Sequence, residues 1–286
     1  MSSSAKTITT SQAGEHAQKK IAVIGCGKMG TILLQAFLER ELVSAANVAA
    51  TVQHQERRKT PAGELAGIAL GTDNRWAVDH AQVVLLCVKP QALPHVLEEI
   101  APAIAPGVLV ISIAASTTVD FIQQRLGQSV AVVRAMPNTP ATVGSAMTAL
   151  CAGAAVHPQQ LETAKHLFEA VGRVVIVDEK HMDAITALSA SGPAFVFVIL
   201  ESLAEAGVKV GLPRELATTL AAQTLYGSAQ LALETGHHPA LLKDAVTTPA
   251  GCTIEGLMEL ERGGLRVTLM NAIVKTASRA RELMGG

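Results

Sequence analysis

Aromatic side chains are almost missing from this 286-residue chain: one Trp, one Tyr and five Phe make up 2% of it. A core built without them must be filled by Ala, Val, Leu and Ile, which suits helices on a sheet better than an aromatic-rich β-barrel. The same shortage, with a formal net charge of −1, removes both the stacking platform and the basic stripe of nucleic-acid binding. Charged residues are scarce too, 16% against 49% hydrophobic, so apolar material is ample and the length fits two domains. The four cysteines, Cys26, Cys87, Cys151 and Cys252, contain no CxxC pair and are too sparse for a disulfide framework. Reduced thiols in a cytoplasmic protein are the expectation. Pro193 to Leu200, the longest strongly apolar run, is too short to span a bilayer, so no membrane partner is expected. Residues 1–19 are polar, with no arginine and no apolar h-region, which excludes a secretory signal and a transit peptide and leaves a disordered tail. His181, His237 and His238 stand at helix or domain ends, and the His pair has no ligand partner at i+3 or i+4, so no metal is expected.

What is there begins at Lys20. Ile21 to Ile24, Val48 to Val52, Val83 to Val88, Val108 to Ile113 and Val130 to Arg134 are short apolar runs that read as buried strands. Weaker strands are expected at Ile68 to Leu70, Ala146 to Cys151 and Val174 to Val177. Helical spacing fills Thr31 to Arg40, Gln91 to Ile100, Val119 to Leu126 and Pro158 to Val171. Such alternation predicts an α/β domain: a doubly wound parallel sheet of Rossmann type over residues 20–178. After Asp178 no further strand-like run occurs. Residues 179–286 predict an all-α domain with helices at 180–209, 213–234, 239–246, 253–261 and 265–283.

Gly25-Cys26-Gly27-Lys28-Met29-Gly30 is a GxGxxG that follows a strand and opens a helix, the context a dinucleotide site requires. Gly25 permits the tight turn, Gly27 lets backbone approach a pyrophosphate, and Gly30 lets helix and strand pack closely. NAD sites place an acid at the end of the second strand, yet residues 47–55 contain none. Thr51, Gln53 and His54 stand there instead, followed by Arg57-Arg58-Lys59, which favours the 2′-phosphate of NADP(H), with NADH as a weaker alternative. Arg57 to Lys59 as a plain solvated helix face is the competing reading. Further cofactor contacts are expected where other strands end: Val88-Lys89-Pro90, Ala114, and the rigid loop Arg134 to Pro140 with Met136, Pro137 and Asn138.

Two stretches of the helical region break helix rules: Leu188 to Ala194, and Asp244 to Ile254 with Thr247, Thr248, Pro249, Gly251 and Thr253 before an expected helix. Exposed N–H groups and hydroxyls there make either a small-anion site suited to a carboxylate or an ordinary capped helix start.

These stretches, with Val23 to Gly30, Val88 to Pro90 and Arg134 to Pro140, resemble the pyrroline-5-carboxylate reductase family from about Lys20 to Glu282, with the motifs in the family's order. Four positions depart: Ala190 stands in place of a Gly, and Thr248, Ala250 and Cys252 stand where many members carry Ser, Gly and Thr. The resemblance implies NADPH-dependent reduction of L-1-pyrroline-5-carboxylate to L-proline, the last step of proline synthesis. It also implies a homodimer through the helical domain, with dimers assembling into decamers. By the same resemblance Thr253 is the hydroxyl near the imine nitrogen, and Gly251, Cys252 and Thr253 supply the backbone site for the substrate carboxylate. Thr248 and Thr186 line the substrate, and Asn74 lies near the adenosine phosphate. An imine nitrogen takes its proton readily, so Thr253 and water suffice where no His or Lys is adjacent. A β-hydroxyacid dehydrogenase would need a helical lysine in this region, and Lys180, Lys209, Lys243 and Lys275 all lie outside the Gly/Ser/Pro stretches. A non-catalytic NADP(H)-binding regulator has no use for the Thr247 to Thr253 pattern.

Overall fold

The computed structural model describes residues 19–54, 65 and 67–283. The expected tail up to residue 18 and Arg57 to Lys59 lie outside the described residues. Eight strands form one sheet in the order β3-β2-β1-β4-β5-β6-β7-β8. They are β1 (Ile21–Ile24), β2 (Val48–Thr51), β3 (Ala69–Gly71), β4 (Val83–Leu86), β5 (Leu109–Ser112), β6 (Ala131–Met136), β7 (Ala146–Ala152) and β8 (Gly172–Ile176). The first six follow the dinucleotide-binding order, with the reversal between β1 and β4. Register sets Ile24 beside Thr51 and Leu86, so the loops after β1, β2 and β4 emerge at one edge.

Alternate residues of each strand enter opposite cores. Ile21, Val23, Leu85 and Ile111 pack under Leu33 and Phe37 of α1 (Lys28–Glu39) and Phe168 of α5 (Pro158–Glu169). Ala22, Ile24, Val84 and Val110 pack under α2 (Asn74–Val78), α3 (Leu93–Ile100) and α4 (Val119–Leu126). Both faces are thus covered, as continuous apolar strands require. One pair departs from the all-parallel expectation: β7 runs antiparallel to β6. The connection between them is short and holds only a 3-10 turn, Thr139–Val143, whereas a parallel return needs a crossover of a dozen or more residues.

The described residues divide into two compact units, one up to Ala190 with Ala277 onward, the other Ser191–Thr276. Strands end where the sequence places the boundary, near Asp178, but the first unit continues further. Met182 of α6 (Met182–Ile185) and Ala187 are fully buried at its sheet side. Arg134 is 1% exposed on β6 and reaches Glu179 at 3.3 Å and Asp183 at 3.9 Å. Arg134 thus belongs to the strand and not to the loop after it, and its guanidinium is a buried partner of residues 45 and 49 positions later.

The segment read as one helix from 180 to 209 contains a π turn, Thr186–Ala190, ahead of α7 (Gly192–Lys209). Pro193 sits in the first turn of α7, where its missing N–H costs nothing. The second unit continues with α8 (Arg214–Thr235), α9 (Pro239–Ala245), α10 (Cys252–Arg262) and the start of α11 (Leu265–Glu282). A Cβ on Gly207 of α7 would lie 2.8 Å from the Ala217 Cβ of α8, so those two helices meet closely. The unit's buried residues are the alanines Ala204, Ala217 and Ala221, while Phe197, Tyr226, Met270 and Val274 are exposed. Among the described residues one helical stretch, Glu179–Lys209, is by length and composition apolar enough to cross a membrane.

Candidate functional site

The glycine turn is built as its three glycines require. Gly25 has φ +92°, and a Cβ there would lie 2.8 Å from Val88 Cγ1 and 3.0 Å from the Cys87 carbonyl. A Cβ on Gly30 would lie 2.6 Å from the Gly25 carbonyl oxygen, so helix and turn touch backbone to backbone. A Cβ on Gly27 would meet nothing within 4 Å, leaving an open face for a ligand. Gly27 is also the N-cap of α1 and supplies no side-chain cap. Elsewhere Asp73, Thr118 and His238 cap their own helices through side chains. The first-turn N–H groups of α1 therefore await an anion, with the positive end of the helix behind them.

A cavity of about 540 Å³ opens at this turn, lined by Gly25, Cys26, Gly27, Thr51, Gln53 and Asn74. Val88 and Lys89, which follow β4, close its other side. Lys28, Met29 and Gly30 form the first turn of α1, and Pro90 opens a 3-10 turn after Lys89. Burial pushes the thiols of Cys26 and Cys87 up, so both stay protonated and place no negative charge beside a phosphate. Thr51 differs from its expected role. It is 2% exposed; its Oγ1 accepts from the Gly25 N–H (3.3 Å) and donates to Asn74 Oδ1 (2.7 Å). Its carbonyl accepts from the Cys26 N–H at 2.6 Å. The hydroxyl thus braces the turn from behind, and its single proton is spent on Asn74.

Eight of the expected cofactor residues do not line this cavity: Lys28, Met29, Gly30 and Pro90, which adjoin lining residues in the chain, and four from later strand ends. Ala114 and Met136 are core side chains at 2% and 4% exposure, and Pro137 is buried. The Asn138 amide donates to the Ser189 carbonyl (3.1 Å) and accepts from the Met147 N–H (3.0 Å), tying its loop to the π turn and to β7. The sequence reading missed Thr72, Ala92, His95, Val96 and Glu99, which also line the cavity. The signal was present in α3: Ala92, Val96 and Glu99 share one helical stripe, and the chain had already put the start of α3 beside the strand edge.

In the second unit, the loop between α9 and α10 gathers Thr248, Gly251, Cys252 and Thr253. Thr247 donates to the Lys243 carbonyl at 2.8 Å, and the Gly251 N–H donates to the Thr248 carbonyl at 3.1 Å. A Cβ on Gly251 would lie 2.3 Å from Thr248 Oγ1, so any larger residue would displace that hydroxyl. Ala250 has φ +57°, in the left-handed region. Gly251 is the N-cap of α10 and again offers no side-chain cap. The first-turn N–H groups of Cys252 and Thr253 remain to take a small anion. Thr218, Thr219 and Thr276 spend their hydroxyl protons on carbonyls four residues back, whereas Thr253, in the first turn, makes no such bond. Thr186, in the first unit, donates to the Met182 carbonyl at 2.7 Å and can therefore only accept from a ligand. Among the described residues no group of His, Cys, Asp and Glu could hold a metal ion.

Residues 20–116, which hold the glycine turn, match the family described as NADP oxidoreductase, coenzyme F420-dependent. Residues 179–283 match the family described as pyrroline-5-carboxylate reductase dimerisation. The chain is 43% identical to a pyrroline-5-carboxylate reductase of Methanosarcina acetivorans over 265 residues, covering 93% of this chain and 98% of that one. The chain belongs to the pyrroline-5-carboxylate reductase family. Solved structures of the family superpose on it throughout. That of Coxiella burnetii gives a TM-score of 0.86 at 35% identity over 93% of this chain and 98% of the other. That of Plasmodium falciparum, with NADP bound, gives 0.85 at 28% over 94% and 99%. The Rossmann-type unit followed by a helical dimerisation region is thus the family's fold. The helix starts at Gly27 and Gly251 fall inside the two matched segments, whereas Arg134 and the antiparallel pair lie outside them.

Proposed function

We propose that the chain catalyses NADPH-dependent reduction of L-1-pyrroline-5-carboxylate to L-proline, the last step of proline biosynthesis. The observation that carries this is the pair of helix starts at Gly27 and Gly251: each begins on a glycine without a side-chain cap, one at a dinucleotide turn and one in a threonine-bearing loop. The first suits a pyrophosphate and the second a small carboxylate. The open face at Gly27, the cavity of about 540 Å³ and the lack of an acid at the end of β2 fit NADP(H). NADH, without the 2′-phosphate, is the weaker donor.

Bound NADPH supplies the hydride; the protein supplies position and electrostatics. The first-turn N–H groups of α10, from Cys252 and Thr253, hold the substrate carboxylate, with the Thr248 hydroxyl beside them. Thr253 hydrogen-bonds the imine nitrogen, orienting it and stabilising its protonated form as the ring carbon accepts the hydride. Thr186 accepts a hydrogen bond from the substrate or the nicotinamide amide. Fixing the reacting groups in this way contributes up to roughly 7–11 kcal/mol. Cys252 lines the pocket and is no nucleophile, since a hydride reduction forms no covalent intermediate with the enzyme.

The exposed Phe197, Tyr226, Met270 and Val274 support a homodimer through the helical unit, and assembly of dimers into a decamer belongs to the same reading. A second copy, not lipid, is what covers the apolar stretch Glu179–Lys209. Four free thiols suit a reducing cytoplasm. The test is oxidation of NADPH by the purified protein with pyrroline-5-carboxylate, repeated with NADH and with light scattering for assembly. No turnover on the cyclic imine despite NADPH binding refutes the proposal.

A further inference from the structure

We propose that Glu99 is a positioning residue of the nucleotide site, which fixes the side-chain amide of Asn74 so that its remaining Nδ2 hydrogen is offered to the cofactor. The inference rests on the NADPH reading above and concerns a residue that no motif in the sequence marks.

Glu99 is the next-to-last residue of α3 and lines the cavity that opens at the glycine turn. Its Oε2 accepts from Asn74 Nδ2 at 2.7 Å, and its Oε1 accepts from the Asn74 backbone N–H at 3.3 Å. On the other side of the amide, Asn74 Oδ1 accepts from the Thr51 hydroxyl at 2.7 Å, whose oxygen accepts from the Gly25 N–H at 3.3 Å. The hydrogen bonds therefore run in one sense: Gly25 N–H to Thr51, Thr51 to the Asn74 oxygen, Asn74 nitrogen to Glu99.

Chemistry fixes that sense at the carboxylate end. An asparagine amide can turn over, and a threonine hydroxyl can donate or accept. A carboxylate can only accept. With Glu99 beside it, Asn74 must point its nitrogen at Glu99 and its oxygen at Thr51. The reversed amide would set Oδ1 against a carboxylate oxygen. Of the two Nδ2 hydrogens one is taken by Glu99, and the other remains for a phosphate or ribose oxygen. Arg75 Nε donates to the Glu99 carbonyl at 2.8 Å, which ties α3 to α2 and holds the spacing.

The same bonds explain how an acid tolerates a site for a phosphorylated ribose. In NAD sites an acid at the end of the second strand receives the ribose hydroxyls. Glu99 comes from a different element, and both its oxygens are turned onto Asn74. It acts on the nucleotide through the amide, which presents a donor.

The test compares wild type, Glu99→Gln, Asn74→Ala and the double variant, each as the full chain, by NADPH fluorescence titration, steady-state kinetics and thermal melting. In Glu99→Gln either an NH₂ faces an Asn74 N–H, donor against donor, or the Asn74 amide turns over to accept from it and its donor is no longer held toward the cofactor. Expected is an NADPH Kd and KM raised about tenfold, with kcat at saturating cofactor, KM for the imine and Tm changed little. Adding Glu99→Gln to Asn74→Ala should cost no more than a further twofold, because the amide it positions is gone. Unchanged or tighter NADPH binding by Glu99→Gln overturns the proposal; the tighter case would mean the carboxylate merely repels phosphate. Losses that multiply in the double variant overturn it too. Wild type that fails to bind NADPH sinks the functional reading instead, so the two failures are separable.

Discussion

Ala250→Gly should stabilise the protein, against the usual direction of such a change. Ala250 has φ +57° in the tight loop before α10. An alanine in the left-handed region costs roughly 1–2 kcal/mol relative to glycine. Glycine returns that energy but gains freedom in the unfolded chain, worth about 0.4–1 kcal/mol. The difference is a net stabilisation of about 0.5–1 kcal/mol, which for a chain of this size raises Tm by roughly 1–4 °C. Melting is followed by calorimetry at one fixed protomer concentration, because oligomer formation makes Tm concentration-dependent. Ala229→Gly is the control. It lies inside α8 (Arg214–Thr235), where glycine should cost about 1 kcal/mol. The two substitutions are chemically identical and should move Tm in opposite directions. A fall in Tm for Ala250→Gly would refute the loop geometry, since residue 250 would then have no left-handed conformation to relieve.

Thr253→Ala should lower kcat/KM for the cyclic imine by roughly 100-fold while leaving NADPH affinity unchanged, and Thr253→Ser should keep most of the activity. Unchanged turnover in Thr253→Ala would remove this hydroxyl from the mechanism. Burial pushes the Cys151 thiol up to about 11, with lesser upward contributions from Glu179 and Asp178 that the Arg134 charge opposes. Its folded pKa is thus raised above the unfolded value of about 8.5, so the stabilising contribution is full below that pH and is lost as pH rises toward 11. Tm of wild type should therefore fall more steeply than that of Cys151→Ala across this window, and parallel curves would show that the thiol is not buried as described.

The parts of the site legible in the sequence are those made by adjacent residues. Gly25, Gly27 and Gly30 act over one turn, so their spacing after an apolar strand was enough. The loop from Thr247 to Thr253 was visible because Thr, Pro and Gly interrupt a helical stretch, although only the structure shows that α10 begins with no side-chain cap. What depended on distant neighbours stayed hidden. Thr51 stands at a strand end and reads as a phosphate ligand, yet Gly25 and Asn74 occupy its hydroxyl from 26 and 23 positions away. Arg134 reads as a loop cation until Glu179 closes on it. Strand direction is likewise absent from periodicity, since alternation is the same either way. For β7 the shortness of the connection after β6 held the only clue.

The helical unit links assembly to catalysis through its poor interior. Its buried residues are Ala204, Ala217 and Ala221, small side chains that remove little surface from water, while Phe197, Tyr226, Met270 and Val274 remain 59–68% exposed. Fully covering each such large side chain is worth about 1.5–3 kcal/mol, so four of them outweigh what three alanines can supply. On the dimer reading, a second copy then stabilises the unit that carries the loop from Thr247 to Thr253, and the donor geometry at Cys252 and Thr253 exists only as long as that partner is present. Dilution below the dimer dissociation constant should accordingly lower Tm and specific activity together, with NADPH binding to the sheet unit outlasting both. Activity that survives in a monomer of unchanged Tm would mean that the alanine interior is sufficient, and that the exposed side chains serve something other than the fold of the loop.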